Sequence, residues 1–463
     1  MFSTSTYKNR RQALRQQLAG GILLFPGNIE NPINFEHNTY PFRQDSTFLY
    51  YFGLAVPSLV GLMDLDENKE IIFGCEATID DLVWTGPQES LSDRAARVGV
   101  LETAPFTSLV HYIERAIARN RPIHFLPPYQ SVSKLLLSEL LQTTPSALEP
   151  SVSFIRAVAQ QRSIKEEQEV AEIERAVSVS TEMHLLTMRL AKSGMKESEL
   201  VHAIQAFAGN RDCSLAYPPI ITVHGQILHN QVRSNPLKNG DMVLVDAGAE
   251  TAMGYAGDLT RTFPVAATFD SQQRAMYQIV LDAITGASEM LRPGVSFKSI
   301  HLHAAKILVE GLKGLGLMKG DPEEAVQSHA HTLFFQCGLG HLMGLDVHDM
   351  EDLGEQYVGY TTDDPKDTQT FGLKSLRLGK PLEAGFVLTV EPGIYIIQDL
   401  IDHCKASNRH SDFVNYTELE KFRNFGGIRL EDNFLITPEG HQLLGPDLIK
   451  TIDDVESYRS RYV

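Results

Sequence analysis

Five side chains in the C-terminal half of the sequence, Asp246, Asp258, His341, Glu391 and Glu431, offer oxygen or imidazole ligands at the ends of short apolar runs or inside them. Val243-Leu244-Val245-Asp246-Ala247-Gly248 reads as a buried strand that ends in a carboxylate, and Val387-Leu388-Thr389-Val390-Glu391-Pro392-Gly393 repeats the design. In Ile428-Arg429-Leu430-Glu431 the side chains alternate across a strand, so Arg429 and Glu431 share one face. An ionised carboxylate buried without a partner is strongly disfavoured, and burying four together requires cations to share the site. Four carboxylates and one imidazole suit a pair of divalent ions: oxygen-rich sets favour manganese, magnesium or calcium, and an imidazole admits zinc, cobalt or manganese.

The elements that must position these groups lie in two parts. Residues 8–18 predict a helix closed by Gly20-Gly21, and residues 22–25 a short buried strand. Strand-like runs follow near 58–64, 70–74 and 123–126, with helices near 107–119 and 130–142. This mixture makes a first α/β domain over residues 1–155. A proline- and serine-rich stretch near 145–165 marks the boundary, and the second domain spans 160–463. There the pattern predicts one long amphipathic helix from about residue 160 to a cap at Gly194, a second helix over 197–208, and helices near 271–291 and 298–315. Strands are expected at 219–223, 242–246 and 260–265, and the ligand-bearing strands close the chain. Helices and antiparallel-type strands segregated in this way make the class α+β. Two polar insertions, 351–380 and 399–425, read as surface excursions. The likeness of Val-Asp246-Ala-Gly to Val-Glu391-Pro-Gly is what a duplicated half-domain would leave, and also what two unrelated strand ends would.

Composition narrows the function classes. A length of 463 residues with 43% hydrophobic and 21% charged residues describes an ordinary globular protein of two domains. A net charge of −17 disfavours a nucleic-acid or anionic-membrane partner. Four scattered cysteines, Cys75, Cys213, Cys337 and Cys404, do not form a disulfide framework and fit a reducing compartment. The N-terminal charges are not followed by an apolar core, no run approaches a membrane span, and a cytoplasmic enzyme is expected. No glycine-rich phosphate loop or serine elbow is present. His301, His303, His329 and His331 read as helix and loop residues rather than a second metal site, because no acid or cysteine accompanies them at suitable spacing.

Taken in order, Asp246, Gly254-Tyr255-Ala256-Gly257-Asp258, Gly338-Leu339-Gly340-His341, Thr389-Val390-Glu391-Pro392-Gly393 and Gly427-Ile428-Arg429-Leu430-Glu431-Asp432 resemble the proline-specific branch of the pita-bread metallopeptidases, which holds aminopeptidase P and prolidase. The resemblance covers the second domain. The stretch from Tyr40 to Gly53 resembles the N-terminal domain of the same branch, in its aminopeptidase P version. It implies a C-terminal pita-bread catalytic domain preceded by a smaller α/β domain, in a homo-oligomer, dimer or tetramer. It also implies two divalent ions, most often Mn2+, with Co2+ or Zn2+ as alternatives. Asp258 and Glu431 would bridge them, Asp246 would complete one, and His341 with Glu391 the other.

The activity implied is removal of an N-terminal residue that precedes proline, so the partners are proline-containing peptides. Prolidase, which splits only Xaa-Pro dipeptides, is the alternative, and the insertion ending in Phe422-Arg423-Asn424-Phe425 has a prolidase-like look. A metal-free pita-bread binding protein is a third reading, opposed by the intact ligand set. A cation pair supplies hydroxide at neutral pH, which suits a bond whose nitrogen lies in a rigid ring without a hydrogen. Glu391 would move the proton from water to the leaving nitrogen. His348 and His229 would donate hydrogen bonds to the carbonyl oxygen, and Arg429 would orient carboxylates or meet substrate. On the substrate side stand Tyr395, Cys337 and Trp84. Cys337 occupies a position where the family usually has histidine, which leaves the proline pocket open to change. Trp84, the one tryptophan, resembles a residue that in aminopeptidase P reaches a neighbouring subunit's active site.

Overall fold

The computed structural model describes all 463 residues, in two compact units. One comprises Met1–Arg162 with Met350–Val358, the other Ser163–Asp349 with Gly359–Val463.

The first unit is built on a five-stranded sheet in the order Glu102–Pro105, Lys69–Gly74, Val60–Asp64, Ile22–Pro26, Ile123–His124. The near-continuous apolar run Ile22–Phe25 is buried on both faces because helices and aromatic side chains cover both. Ile22 and Leu24 join Leu109, Ile113, Leu137 and Leu140 in one core cluster. On the other side Phe25 packs against Tyr51, Phe52 and Phe154, with ring centroids 5.2–5.3 Å apart. The first helix is Thr4–Arg15, beginning and ending earlier than its sequence pattern predicts. Ser3 accepts from the Thr6 amide and so fixes the start. Within the Tyr40–Gly53 stretch lies a helix, Ser46–Phe52, capped by Asp45 and ended by Gly53 at φ 61°. A Cβ at Gly53 would meet the Tyr7 ring at 2.3–2.6 Å, so this turn requires glycine.

The expected long helix is two helices: Val152–Ser163 belongs, but for its last residue, to the first unit, and Glu167–Leu190 follows in the second. The chain breaks at 164–166, where the Glu166 amide donates to the Glu169 carboxylate and begins the next helix. That helix ends at Leu190, with Ala191 already extended; Gly194, at φ 93°, lies in the following turn and is not its cap. Helices Glu197–Gly209, Ser271–Glu289 and Phe297–Gly314 fall where the periodicity puts them. The strands pair antiparallel throughout. Met242–Asp246 lies between Thr260–Pro264 and Ile220–Thr222; Asp432–Ile436 lies between Val387–Val390 and His441–Leu443; Gly393–Tyr395 pairs with Gly427–Arg429. A bridge between Thr260 and Glu431 ties the first ligand-bearing strands to the last. The two insertions are not wholly surface excursions. They bury Tyr360, Leu376 and Leu378 in one, and Ile401, Cys404 and Leu419 in the other.

Candidate metal centre

Strand ends bring the five predicted ligands together. Asp246 closes one strand, directly opposite Thr260 on its neighbour. Glu391 follows the strand Val387–Val390, its amide donating to the Leu339 carbonyl at 2.7 Å. The His341 amide donates to the Thr389 hydroxyl, and the Thr389 amide returns a bond to the His341 carbonyl at 3.0 Å. His341 is thus fastened to the strand that leads to Glu391. Ligand atoms of Asp258, His341 and Glu431, all three residues buried, lie within 4.8 Å of one another. His341 Nε2 stands 3.5 Å from Asp258 Oδ2 and 3.6 Å from Glu391 Oε1. Asp246 joins through Tyr217, whose hydroxyl is 2.7 Å from Asp246 Oδ1 and is also bonded to Asp258.

Three observations test whether a divalent cation fits. His341 Nδ1 lies 3.0 Å from the Leu342 carbonyl, which can only accept; the proton therefore sits on Nδ1 and the Nε2 lone pair faces the carboxylates. Glu431 Oε2 accepts from the Thr260 hydroxyl at 2.7 Å, whereas Oε1 is buried with no hydrogen-bond partner. Burial and the Asp246 charge push the Asp258 carboxyl up to about 7, and burial with Asp258 beside it pushes Glu431 well above the carboxylate range. Burial also raises Glu391. Acids crowded and desolvated in this way repel one another until positive charge is supplied, so the donor set fits divalent cations.

Around the ligands stands a ring of buried support. Arg429 donates to Asp246, to Tyr395 Oη at 3.0 Å and to Thr260 Oγ1 at 3.2 Å. The Asp258 amide donates to Asn433 Oδ1 at 3.1 Å, and the Asn433 side chain donates back to the Asp258 carbonyl. Arg261, fully buried, donates to the Glu431 carbonyl at 2.7 Å and to Asp432 at 2.6 Å.

The other predicted residues divide. The His348 ring packs edge-on against His341 with centroids 4.3 Å apart. His229 sits on a partly buried loop, close enough to Arg429 and Asp246 to feel both charges; partial burial and Arg429 hold its pKa below the usual imidazole value. Buried Glu197 braces that loop, accepting from the Val223 amide and the Asn235 side chain, each at 2.9 Å. Cys337 Sγ lies 3.8 Å from Tyr395 Oη, and burial beside Glu391 pushes its thiol to about 12. Trp84 is 85% exposed, on a helix, Ile79–Thr85, that buries none of its residues. Tyr217, Thr260, Asn433 and Arg261 are functional-site residues that pattern reading missed; none stands at a diagnostic spacing. The Thr-Arg-Thr run at 260–262 inside an otherwise apolar strand was the one available signal.

The chain matches two family models: metallopeptidase family M24 over residues 171–438, and the aminopeptidase P N-terminal domain over 7–124. A probable Xaa-Pro aminopeptidase of Metarhizium robertsii is 30% identical over 452 residues, covering 96% of this chain and 93% of that protein. Proline aminopeptidase P II of Yersinia pestis superposes with a TM-score of 0.81 at 29% identity, covering 99% of this chain and 100% of the other. Zinc-substituted Escherichia coli aminopeptidase P in complex with product does so at 0.81 and 27% identity, covering 100% and 99%.

Proposed function

Since the chain belongs to metallopeptidase family M24 and carries an aminopeptidase P N-terminal domain, we infer that it is a metal-dependent Xaa-Pro aminopeptidase, hydrolysing the bond between an N-terminal residue and a following proline. The observation that carries this reading is the junction of Asp258, His341 and Glu431, buried ligands from three distant segments, with Glu431 Oε1 lacking any protein partner. Asp246, Asp258, His341, Glu391 and Glu431 would hold two divalent ions. Manganese is our choice for this oxygen-rich set, with cobalt or zinc as alternatives. When bound, such ions make a water acidic enough to yield hydroxide near neutral pH and polarise the scissile carbonyl.

The chain's own residues do the rest. Glu391, raised by burial, can take a proton and release it to the leaving imino nitrogen. His229 and His348 donate hydrogen bonds to the carbonyl oxygen as charge builds on it. Arg429 holds the Asp246 carboxylate and the Tyr395 hydroxyl, which fixes one wall of the site. Tyr395 and Cys337 shape the pocket for the proline ring. Trp84, with Ile79 and Val83 also exposed on the same short helix, is covered in our reading by a second copy of the chain in a dimer or tetramer. We place the enzyme in the cytoplasm, supported by four free cysteines. No helix is long and apolar enough to cross a membrane.

The test is metal content alongside rate. Protein purified without added salt, then loaded with manganese, should bind two ions and cleave Xaa-Pro peptides. Asp258→Asn should lose both properties. Full activity in a chelated protein would overturn the mechanism.

A further inference from the structure

The geometry points to Lys165 and Asp349 as a positioning pair that sets His348 against the metal centre, an inference that rests on the role given above to His348. Lys165 Nζ lies 2.8 Å from Asp349 Oδ2, and both side chains are 1% exposed. A buried ion pair is a poor device for stability alone, because desolvating both charges cancels most of their attraction and well-packed apolar residues would serve as well. What it adds is direction: each charge must lie where the other is.

That direction is transmitted to the catalytic loop. Lys165 stands in the break between two helices, its amide donating to the Gly385 carbonyl at 2.8 Å, two residues before the strand Val387–Val390. Asp349 closes the loop that begins at His341, its amide donating to the Leu342 carbonyl at 2.8 Å. Gly344, in the middle of that loop, lies directly on the pair. A Cβ there would sit 2.7 Å from Asp349 Oδ2 and 2.8 Å from Lys165 Cε. The Gly344 carbonyl accepts from the Ala256 amide at 2.9 Å, and Asp258 follows two residues on. The pair therefore underlies the chain segments that carry His341, Asp258 and Glu391. The residue it governs most directly is His348, the neighbour of Asp349 in sequence. The path and tilt of the His348–Asp349 peptide set where the His348 ring meets His341.

Four variants test this in the metal-loaded, full-length protein: Lys165→Met, Lys165→Met with Asp349→Leu, His348→Ala, and the three changes together. Tm, bound metal, and kcat and KM on a proline-second tripeptide are read for each. Lys165→Met should lose stability, because it removes the buried cation that faces the Asp349 carboxylate. The double variant should recover Tm and keep its metal and KM, yet show kcat lower by about 10-fold or more, as expected when a donor is misplaced by a fraction of an ångström to an ångström. Added to His348→Ala, the double change should lower kcat no further. Wild-type kcat in the double variant, or losses that multiply on the His348→Ala background, would overturn the proposal. Should the double variant fail to fold, Asp349→Asn keeps the side-chain volume and weakens the anchor. Its loss in kcat must likewise vanish on the His348→Ala background, and persistence there counts against the pair. Wild-type kcat in His348→Ala alone would remove the donor role itself, and this inference with it.

Discussion

Arg429 and Glu431 share one hydroxyl: Thr260 Oγ1 accepts from Arg429 Nε at 3.2 Å and donates to Glu431 Oε2 at 2.7 Å. The strand alternation that places both side chains on one face also gives them one buried partner, so that the guanidinium and the Glu431 carboxylate are set relative to each other. Thr260→Val keeps the shape and removes both bonds. The account expects a loss of about 1–3 kcal/mol in stability and an affinity for divalent ions weakened about 10-fold, read by denaturant unfolding and metal titration.

Tyr217 plays the same part for Asp246 and Asp258, which its hydroxyl joins. Burial and the two neighbouring carboxylates hold that phenol protonated, its pKa well above the usual value, so it stays a donor. Tyr217→Phe should leave the fold intact and weaken metal binding by about 10- to 100-fold. A variant that binds manganese as tightly as the parent would show that the hydroxyl is spent only on filling space.

His301 and His331 form a buried pair, ring centroids 6.2 Å apart, whose four ring nitrogens have no partner in the protein. Burial lowers His301 from 6.5 to about 4 and His331 from 6.5 to about 3. The unfolded chain therefore takes up protons near 6.5 while the folded chain does not. Stability is intact above 6.5 and falls as pH drops through the window from 6.5 to about 4 and then about 3, by about 1.4 kcal/mol per pH unit for each histidine. In metal-free protein, His301→Leu with His331→Leu should flatten this acid limb. An unchanged slope of unfolding free energy against pH would assign it to other groups.

The thiols should divide by burial. Cys75 is exposed, whereas burial raises the Cys213 and Cys404 thiols and pushes Cys337 to about 12. A neutral thiol is a poor nucleophile. Iodoacetamide acting on native metal-free protein should modify Cys75 alone and leave later manganese-loaded activity unchanged; alkylation of Cys337, located by peptide mapping, would contradict this.

Part of the candidate ligand set was legible in the sequence because Asp246 ends an apolar strand and Glu391 directly follows one, places where a lone charge would be costly. The supporting groups were not. Tyr217 is 29 residues before Asp246, and Arg261 reaches Asp432 across 171, so only the folded chain shows the contact. Helix periodicity placed Ser271–Glu289 and Phe297–Gly314 closely, yet it ran through the break at 164–166, where Lys165 and Glu166 are themselves good helix formers. What ends the helix there is tertiary, the Lys165 amide being taken by Gly385 and its side chain by Asp349. The exposure of Trp84 was equally hidden, because the apolar residues Ile79, Leu82, Val83 and Trp84 read the same in sequence whether they pack in a core or lie exposed.

The most direct measurement is the initial rate on Gly-Pro, Ala-Pro and a tripeptide with proline second, in one buffer, with manganese and then after chelation. The account predicts release of the N-terminal residue from the tripeptide at least as fast as cleavage of the dipeptides, with all activity lost on chelation and restored by manganese. Cleavage of the dipeptides alone, as a prolidase would give, or a rate indifferent to chelation, would contradict it.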